Sequence, residues 1–145
     1  MKGWLRGPDD GGSASLELVL VTPALLGLLG LLILAGRVAL ASNSVEQAAD
    51  EAARSASISR TAAGARGAAA DGARRALAQQ NLRCSSVTVT VDTTGFAVPV
   101  GVPARVRATV TCRVNLSDLA LPGFPGARTV TATAVSPLDT YRERG

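Results

Sequence analysis

The chain has 145 residues, enough for one modest domain and an anchor, and its 15 basic and 11 acidic residues give a net charge of +4. Because it has no histidine, Ser-His and Cys-His nucleophile pairs are impossible and a zinc site would lack the commonest ligand. A Ser-Lys pair would need Lys2, the only lysine, next to the N-terminus. Aromatic residues make up 3% of the chain, too few for a base-stacking platform. Neither an enzyme nor a cofactor, metal or nucleic-acid site is expected.

Arginines are the only residues that could form a nucleic-acid surface, and an ordinary solvated surface accounts for them better. They are Arg74, Arg75, Arg83, Arg105, Arg107 and Arg113.

The first predicted element is the apolar run Leu18–Gly36, which carries no charge until Arg37. Nineteen helical residues span roughly 28 Å, close to the hydrocarbon thickness of a bilayer. We therefore expect a transmembrane helix over 13–41. Lys2 and Arg6 precede it, which favours a cytoplasmic N-terminus and an exported C-terminal part. The alternative is a secretory signal cut after Ala41, although the apolar core of a signal is usually shorter, about 7–15 residues.

Glu17 lies at the edge of this run, where burying a carboxylate costs on the order of 3 kcal/mol unless it has a partner. A capping box would need Ser or Thr at Ala14, so that explanation fails. Snorkelling to the interface near the helix N-terminus remains open. If the chain is cut between Gly12 and Ser13, the new α-amine lies one turn from Glu17 and is a natural partner, within one chain or between neighbours.

An alanine-rich helix is predicted to follow, over residues 42–80, with a break near 58–67. Its apolar stripe is spaced as on one helix face, and small residues allow a partner helix to approach closely. The stripe comprises Val45, Ala48, Ala49, Ala52, Ala53 and Ala56. Gly27, Gly30 and Gly36 thin the membrane helix in the same way, and Pro23 is expected to kink it near Val19. The plainer explanation of both stripes is a high alanine and glycine content with no special partner.

The second helix is expected from about Ala68 to Gln80, followed by an exported domain over 81–145. Alternating Val and Thr predict three strands, over 85–93, 104–114 and 128–135. Connections rich in Gly and Pro predict an antiparallel sheet, with its apolar face covered by the second helix. Phe96 and Phe124 in these connections are expected to plug the edges of the sheet.

Cys84 and Cys112 form an even pair, which in an exported domain is expected to be a disulfide. Strand alternation places Cys84 with the threonines and Cys112 with the valines. The bridge therefore requires Cys84 to precede the regular strand.

Gly12, four small or apolar residues and Glu17, followed by an apolar helix, resemble the N-terminus of a type IV prepilin. The alanine-rich VEQAADEAARSAS, the strands ATVTCRVNL and RTVTATAVSP, and the PGFPG loop between them are similar to TadE-like pseudopilins of tight-adherence, type IVb, pilus loci. The resemblance implies that a membrane prepilin peptidase removes a leader, residues 1–12. Family members often have Tyr or Phe after the Glu; Leu18 here speaks against a major subunit.

The sequence thus predicts an α+β, pilin-like protein with a long N-terminal transmembrane helix, a second shorter helix and a small three-stranded antiparallel sheet. The resemblance implies a non-enzymatic minor subunit of a tight-adherence pilus or related secretion filament. Its partners would be the peptidase, other pilin-like subunits, the assembly platform and membrane lipid. The rival interpretation is an uncleaved, single-pass envelope module that binds a surface ligand.

Overall fold

The computed structural model describes residues 11–115 and 126–143, with side chains from Leu18 onward. Within these residues, two helices and three strands follow one another: α1 (Gly11–Ser57), α2 (Ala62–Gln79), β1 (Cys84–Asp92), β2 (Ala104–Asn115) and β3 (Ala127–Leu138). A short 3₁₀ helix, Thr94–Ala97, joins β1 to β2. The predicted α+β class and order of elements are confirmed. The chain divides into two compact units, 1–36 and 37–145.

The break between the helices is shorter than the sequence predicts, covering residues 58–61 rather than 58–67. The Thr61 hydroxyl caps α2 by accepting a hydrogen bond from the Gly64 N–H at 3.0 Å. This cap satisfies a donor that has no partner within the helix, and it offsets the cost of glycine near the helix start. Gly64 and Gly67 therefore lie inside α2 rather than in a hinge.

The end of α2 is a Schellman motif centred on Asn81, which has φ of 54°. The Leu82 N–H donates to the Leu77 carbonyl at 3.1 Å, and the Asn81 N–H donates to the Ala78 carbonyl at 3.0 Å. Leu77 and Leu82 also join the hydrophobic core, as the side chains flanking this motif commonly do. The motif turns the chain from α2 into β1.

The sheet is antiparallel with the order β1-β2-β3, so β2 is central. A bulge between Cys84 and Ser86 shifts the register of β1, because Cys84 pairs with Val114 while Ser86 pairs with Arg113. The extra residue returns Cys84 to the valine face, since a bulge places two residues opposite one. The expectation that Cys84 precedes the strand is therefore wrong: Cys84 is the first residue of β1.

Both helices, rather than α2 alone, cover the apolar face of the sheet. α2 packs against β1. The part of α1 from Ala41 to Ala56 joins the same buried core as β2, and Glu46 and Asp50 line a groove with Thr131, Ala132 and Thr133 of the edge strand β3. The core is thin and built mainly from alanine and valine, and its largest fully buried side chains are Val45, Val106, Val110 and Cys112. Phe96 is also buried in this core, whereas Phe124 lies outside the described residues.

Candidate assembly site

The prepilin-like motif lies at the start of α1, whose backbone is helical from Gly11 onward. Helical spacing places positions 13 and 17 one turn apart on the same face, as the charge-pair hypothesis requires. The side chains of Ser13 and Glu17 lie outside the described residues. The pairing and the Gly12–Ser13 cut therefore stay predictions.

The apolar run is largely exposed among the residues that the structure describes. Leu18, Val19 and Leu20 are each about two-thirds exposed, and large apolar side chains remain exposed as far as Ile33. The helix is long and apolar enough to cross a membrane. So much exposed apolar surface is unfavourable in water, which indicates that lipid or other protein surrounds this stretch.

Pro23 lies inside an unbroken helix, and the expected kink near Val19 stays a prediction. Pro23 has no N–H to donate to the carbonyl of Val19. One residue earlier, the Thr22 hydroxyl donates to the Leu18 carbonyl at 2.7 Å. Threonine hydroxyls are among the groups that help satisfy backbone carbonyls near a proline in membrane helices.

Glycines open part of this helix surface to close approach. A Cβ added at Gly27 or Gly36 would meet no heavy atom within 4 Å. These positions are accessible to another helix, and small residues are typical of helix contacts in membranes. The alanine stripe, the second helix surface proposed from the sequence, is not accessible in this way.

The alanine stripe is not available to a partner subunit, contrary to one interpretation of the sequence. Ala48, Ala49, Ala52, Ala53 and Ala56 are at most 1% exposed and belong to the core of their own chain. Close approach does occur there, but with α2: a Cβ at Gly72 would lie 2.7 Å from the Ser55 Oγ and 3.2 Å from the Glu51 carbonyl oxygen.

The disulfide between Cys84 and Cys112 is present, with Cα atoms 5.5 Å apart. It runs diagonally across the ladder, because Cys84 pairs with Val114 and Cys112 pairs with Val87. It ties β1 to the central strand at the end of the sheet near the α2–β1 turn. A bridge of this kind fits a protein part that faces an oxidising compartment.

The outer face of the sheet is polar. Thr109 and Thr133 are hydrogen-bonded across strands at 2.9 Å, as are Thr111 and Thr131 at 3.1 Å. Arg105, Arg107 and Arg113 share this face of β2 with Thr109 and Thr111, whereas Arg74 and Arg75 lie on α2, in the other layer. The six arginines considered for a nucleic-acid surface are therefore distributed over both layers.

Two features of the unit 37–145, called the head below, were not found from the sequence. One is a cavity of about 470 Å³ between the start of the alanine-rich stretch, the α2–β1 turn and the end of β2, with Arg37 and Arg83 in its wall. The other is Asp92, whose pKa is held below its ordinary value by hydrogen bonds from the Thr94 backbone N–H and hydroxyl, with a smaller effect of Arg107. The sequence did contain a signal for the cavity. Arg37 follows the apolar run, and Arg83 comes two residues after Asn81, where the second helix is expected to end.

Among residues 18–115 and 126–143, no group of three or more His, Cys, Asp and Glu side chains is placed to hold a metal ion.

The sequence model of the family described as TadE-like protein matches residues 12–54. The match begins at the glycine of the prepilin-like motif and ends near the C-terminus of α1, and it confirms the resemblance over this segment. No curated protein and no solved structure matches the chain significantly. The family match and the apolar N-terminal helix fit a protein related to the tight-adherence pilus.

Proposed function

We propose that this protein is a non-enzymatic minor pilin or pseudopilin of a tight-adherence pilus or related secretion filament. A prepilin peptidase cuts between Gly12 and Ser13, and the mature chain assembles through its apolar N-terminal helix. Its head, residues 37–145, sits outside the cytoplasmic membrane. Its partners are the peptidase, other pilin-like subunits and the assembly platform.

The observation that carries this proposal is the contrast between the two halves of α1. From Arg37 to Ser57 the helix buries its apolar stripe in its own head, whereas the large apolar side chains of Leu18–Gly36 are mostly exposed. A helix that is apolar all round and uncovered needs lipid before assembly and other helices afterwards. The family match covers the uncovered half and its prepilin-like motif.

Glu17 makes the transfer of the apolar helix from lipid to the filament specific. An unpaired carboxylate in the bilayer is costly, on the order of 3 kcal/mol, so Glu17 favours any environment that supplies a cation. Leader removal creates an ammonium at Ser13, and a neighbouring subunit staggered along the filament presents the same group. The charge pair thereby favours the filament over the isolated subunit in lipid.

Membrane orientation follows from the same elements. Lys2 and Arg6 favour a cytoplasmic N-terminus, and the Cys84–Cys112 disulfide is consistent with a head on the opposite, oxidising side. The subunit is then a single-pass membrane protein until it enters the extracellular filament.

Replacing Glu17 with Ala tests the assembly mechanism. We expect the variant to be cut normally but to enter sheared filaments severalfold less than wild type, because the ammonium loses its counterion. Incorporation is measured by immunoblot of the sheared fraction against the membrane fraction.

The matched control is Glu46→Ala, which removes an exposed carboxylate from the same helix outside the apolar run. It should assemble like wild type. Equal incorporation of the Glu17 and Glu46 variants would contradict the charge-pair mechanism.

A further inference from the structure

A cavity in the head lies beside Arg37, where the head begins. Its volume is about 470 Å³, within the range of small-molecule pockets, roughly 300–1,000 Å³. Three segments form its wall: Arg37–Ser44 of α1, the turn Gln80–Arg83, and Val114 with Asn115 at the end of β2. All of them belong to the unit 37–145.

The wall of this pocket carries positive charge that the protein only partly uses. Arg83 is exposed and makes no hydrogen bond or ion pair within the described part of the chain. Arg37 and Asn115 take part in other interactions, and a guanidinium with five donors retains capacity for more. No Asp or Glu is among the lining residues. The pocket is therefore suited to an anion, above all to a phosphate group.

Part of the remaining wall is apolar, and the rest is polar and uncharged. Leu40 is 68% exposed, and Ala41, Leu82 and Val114 complete this side. A free phosphate ion makes no use of apolar surface. An amphiphile with a phosphate and a hydrocarbon part matches both sides of the pocket.

The chain's own connectivity places this pocket at the bilayer surface. Arg37 is the first residue after the apolar run, and Leu40 follows one helical turn later. When Leu18–Gly36 spans the hydrocarbon, Arg37 lies in the headgroup layer, where phospholipid phosphates are present at high local concentration.

We propose that this pocket binds the phosphodiester headgroup of an anionic phospholipid. Arg37 and Arg83 contact the phosphate, while Leu40 and Leu82 contact the glycerol and the first acyl carbons. The bound lipid holds the base of the head against the membrane until the subunit is extracted. The inference rests on the membrane insertion contained in the proposed function but is independent of leader cleavage.

Native mass spectrometry of the full chain in detergent tests this proposal, with equal amounts of phosphatidylglycerol and phosphatidylcholine as probes. We expect one phosphatidylglycerol to be retained in preference to phosphatidylcholine. Arg83→Gln should weaken that first adduct about fivefold and the double variant Arg37→Gln/Arg83→Gln further, since each basic residue near an anionic surface contributes about 1 kcal/mol.

The matched control is Arg105→Gln, an exposed arginine at the other end of β2, which should retain the lipid like wild type. Thermal melts of all variants verify folding. Equal retention by wild type and the double variant overturns the proposal, as does displacement of the lipid by millimolar inorganic phosphate, which would make the site a free-anion site. The same spectra give the mass of the protein, so leader processing is read separately from lipid binding.

Discussion

At the residue scale, Gly95 holds a position in the head where a side chain has no room. It follows β1 in the short 3₁₀ helix, and an added Cβ would collide with the backbone carbonyl of Arg105 and crowd the Leu138 side chain at 3.1 Å. Neither neighbour yields easily, because one is the backbone of the central strand and the other is buried. This close approach seats Phe96 in the core.

Gly95→Ala should therefore destabilise the head by about 1–3 kcal/mol, the usual cost of overpacking a core. Thermal or urea unfolding of the full chain in detergent measures the change. The matched control is Gly67→Ala. Gly67 lies in the interior of α2, and a methyl group added there has no heavy atom within 4 Å. This control should stabilise α2 by about 0.5–1 kcal/mol. A Gly95 variant as stable as wild type would contradict the described packing.

Asp92 gives the head a predicted pH dependence. Its pKa is lowered mainly by the Thr94 backbone N–H, at 3.0 Å from its Oδ1, and by the Thr94 hydroxyl at 2.8 Å. A carboxyl group whose folded pKa lies below its unfolded value stabilises the fold above that unfolded value, near pH 4. This contribution is lost as the pH falls through the lowered pKa.

Asp92→Ala should thus lower the free energy of unfolding at pH 7, and its difference from wild type should shrink as the pH falls below about 4. Denaturant titrations at several pH values measure this difference. A difference that grows on acidification would contradict the described hydrogen bonds.

The strand faces of single residues could be predicted from the sequence only where the strand is regular. Alternation assigned the faces of Val87 and Cys112 correctly, because period-two patterning survives in a regular strand. It failed at Cys84, since one inserted residue in a bulge reverses the alternation and leaves no clear trace in a run of Cys and Ser. The pairing of the cysteines was predictable from their number, but the bulge that brings Cys84 to the valine face was not.

At the scale of elements, capping outweighed intrinsic propensity. Gly64 and Gly67, at about 1 kcal/mol each, predicted a long break between the helices. The Thr61 cap and burial of Ala65 and Ala69 offset that cost and extend α2 back to Ala62. Propensity is a weak guide where tertiary packing decides the start of a helix.

The disulfide stabilises the strand pair around a thin core. Its cysteines are 28 residues apart, and closing a loop of that length stabilises a fold by about 3–4 kcal/mol through the unfolded state. The double variant Cys84→Ala/Cys112→Ala should lose about this much in unfolding experiments, and its head should become sensitive to protease.

A reductant supplies the control for this prediction. Wild type unfolded with a reductant present should approach the double variant, whereas the double variant should not respond to it. A wild type whose stability is the same with and without the reductant would contradict a structural role for this bridge.

At the scale of the whole molecule, one helix serves two environments. The sequence predicted both apolar stretches of α1, but a stripe reveals only that it is covered, not by what. The alanine stripe is covered by its own chain, whereas the large apolar side chains of Leu18–Gly36 are mostly exposed. Cover by the same chain and cover by another subunit differ only in long-range packing, which the periodicity of a sequence does not encode.

The proposed assembly depends on leader removal, because the new α-amine is the cation that would pair with Glu17. The intact mass and N-terminal sequence of protein extracted from the membranes of its native host test it most directly, with Gly12→Leu as the variant expected to keep its leader. The account predicts a mature chain that begins at Ser13. A mature chain that begins at Met1 would contradict it and leave a permanently anchored envelope protein.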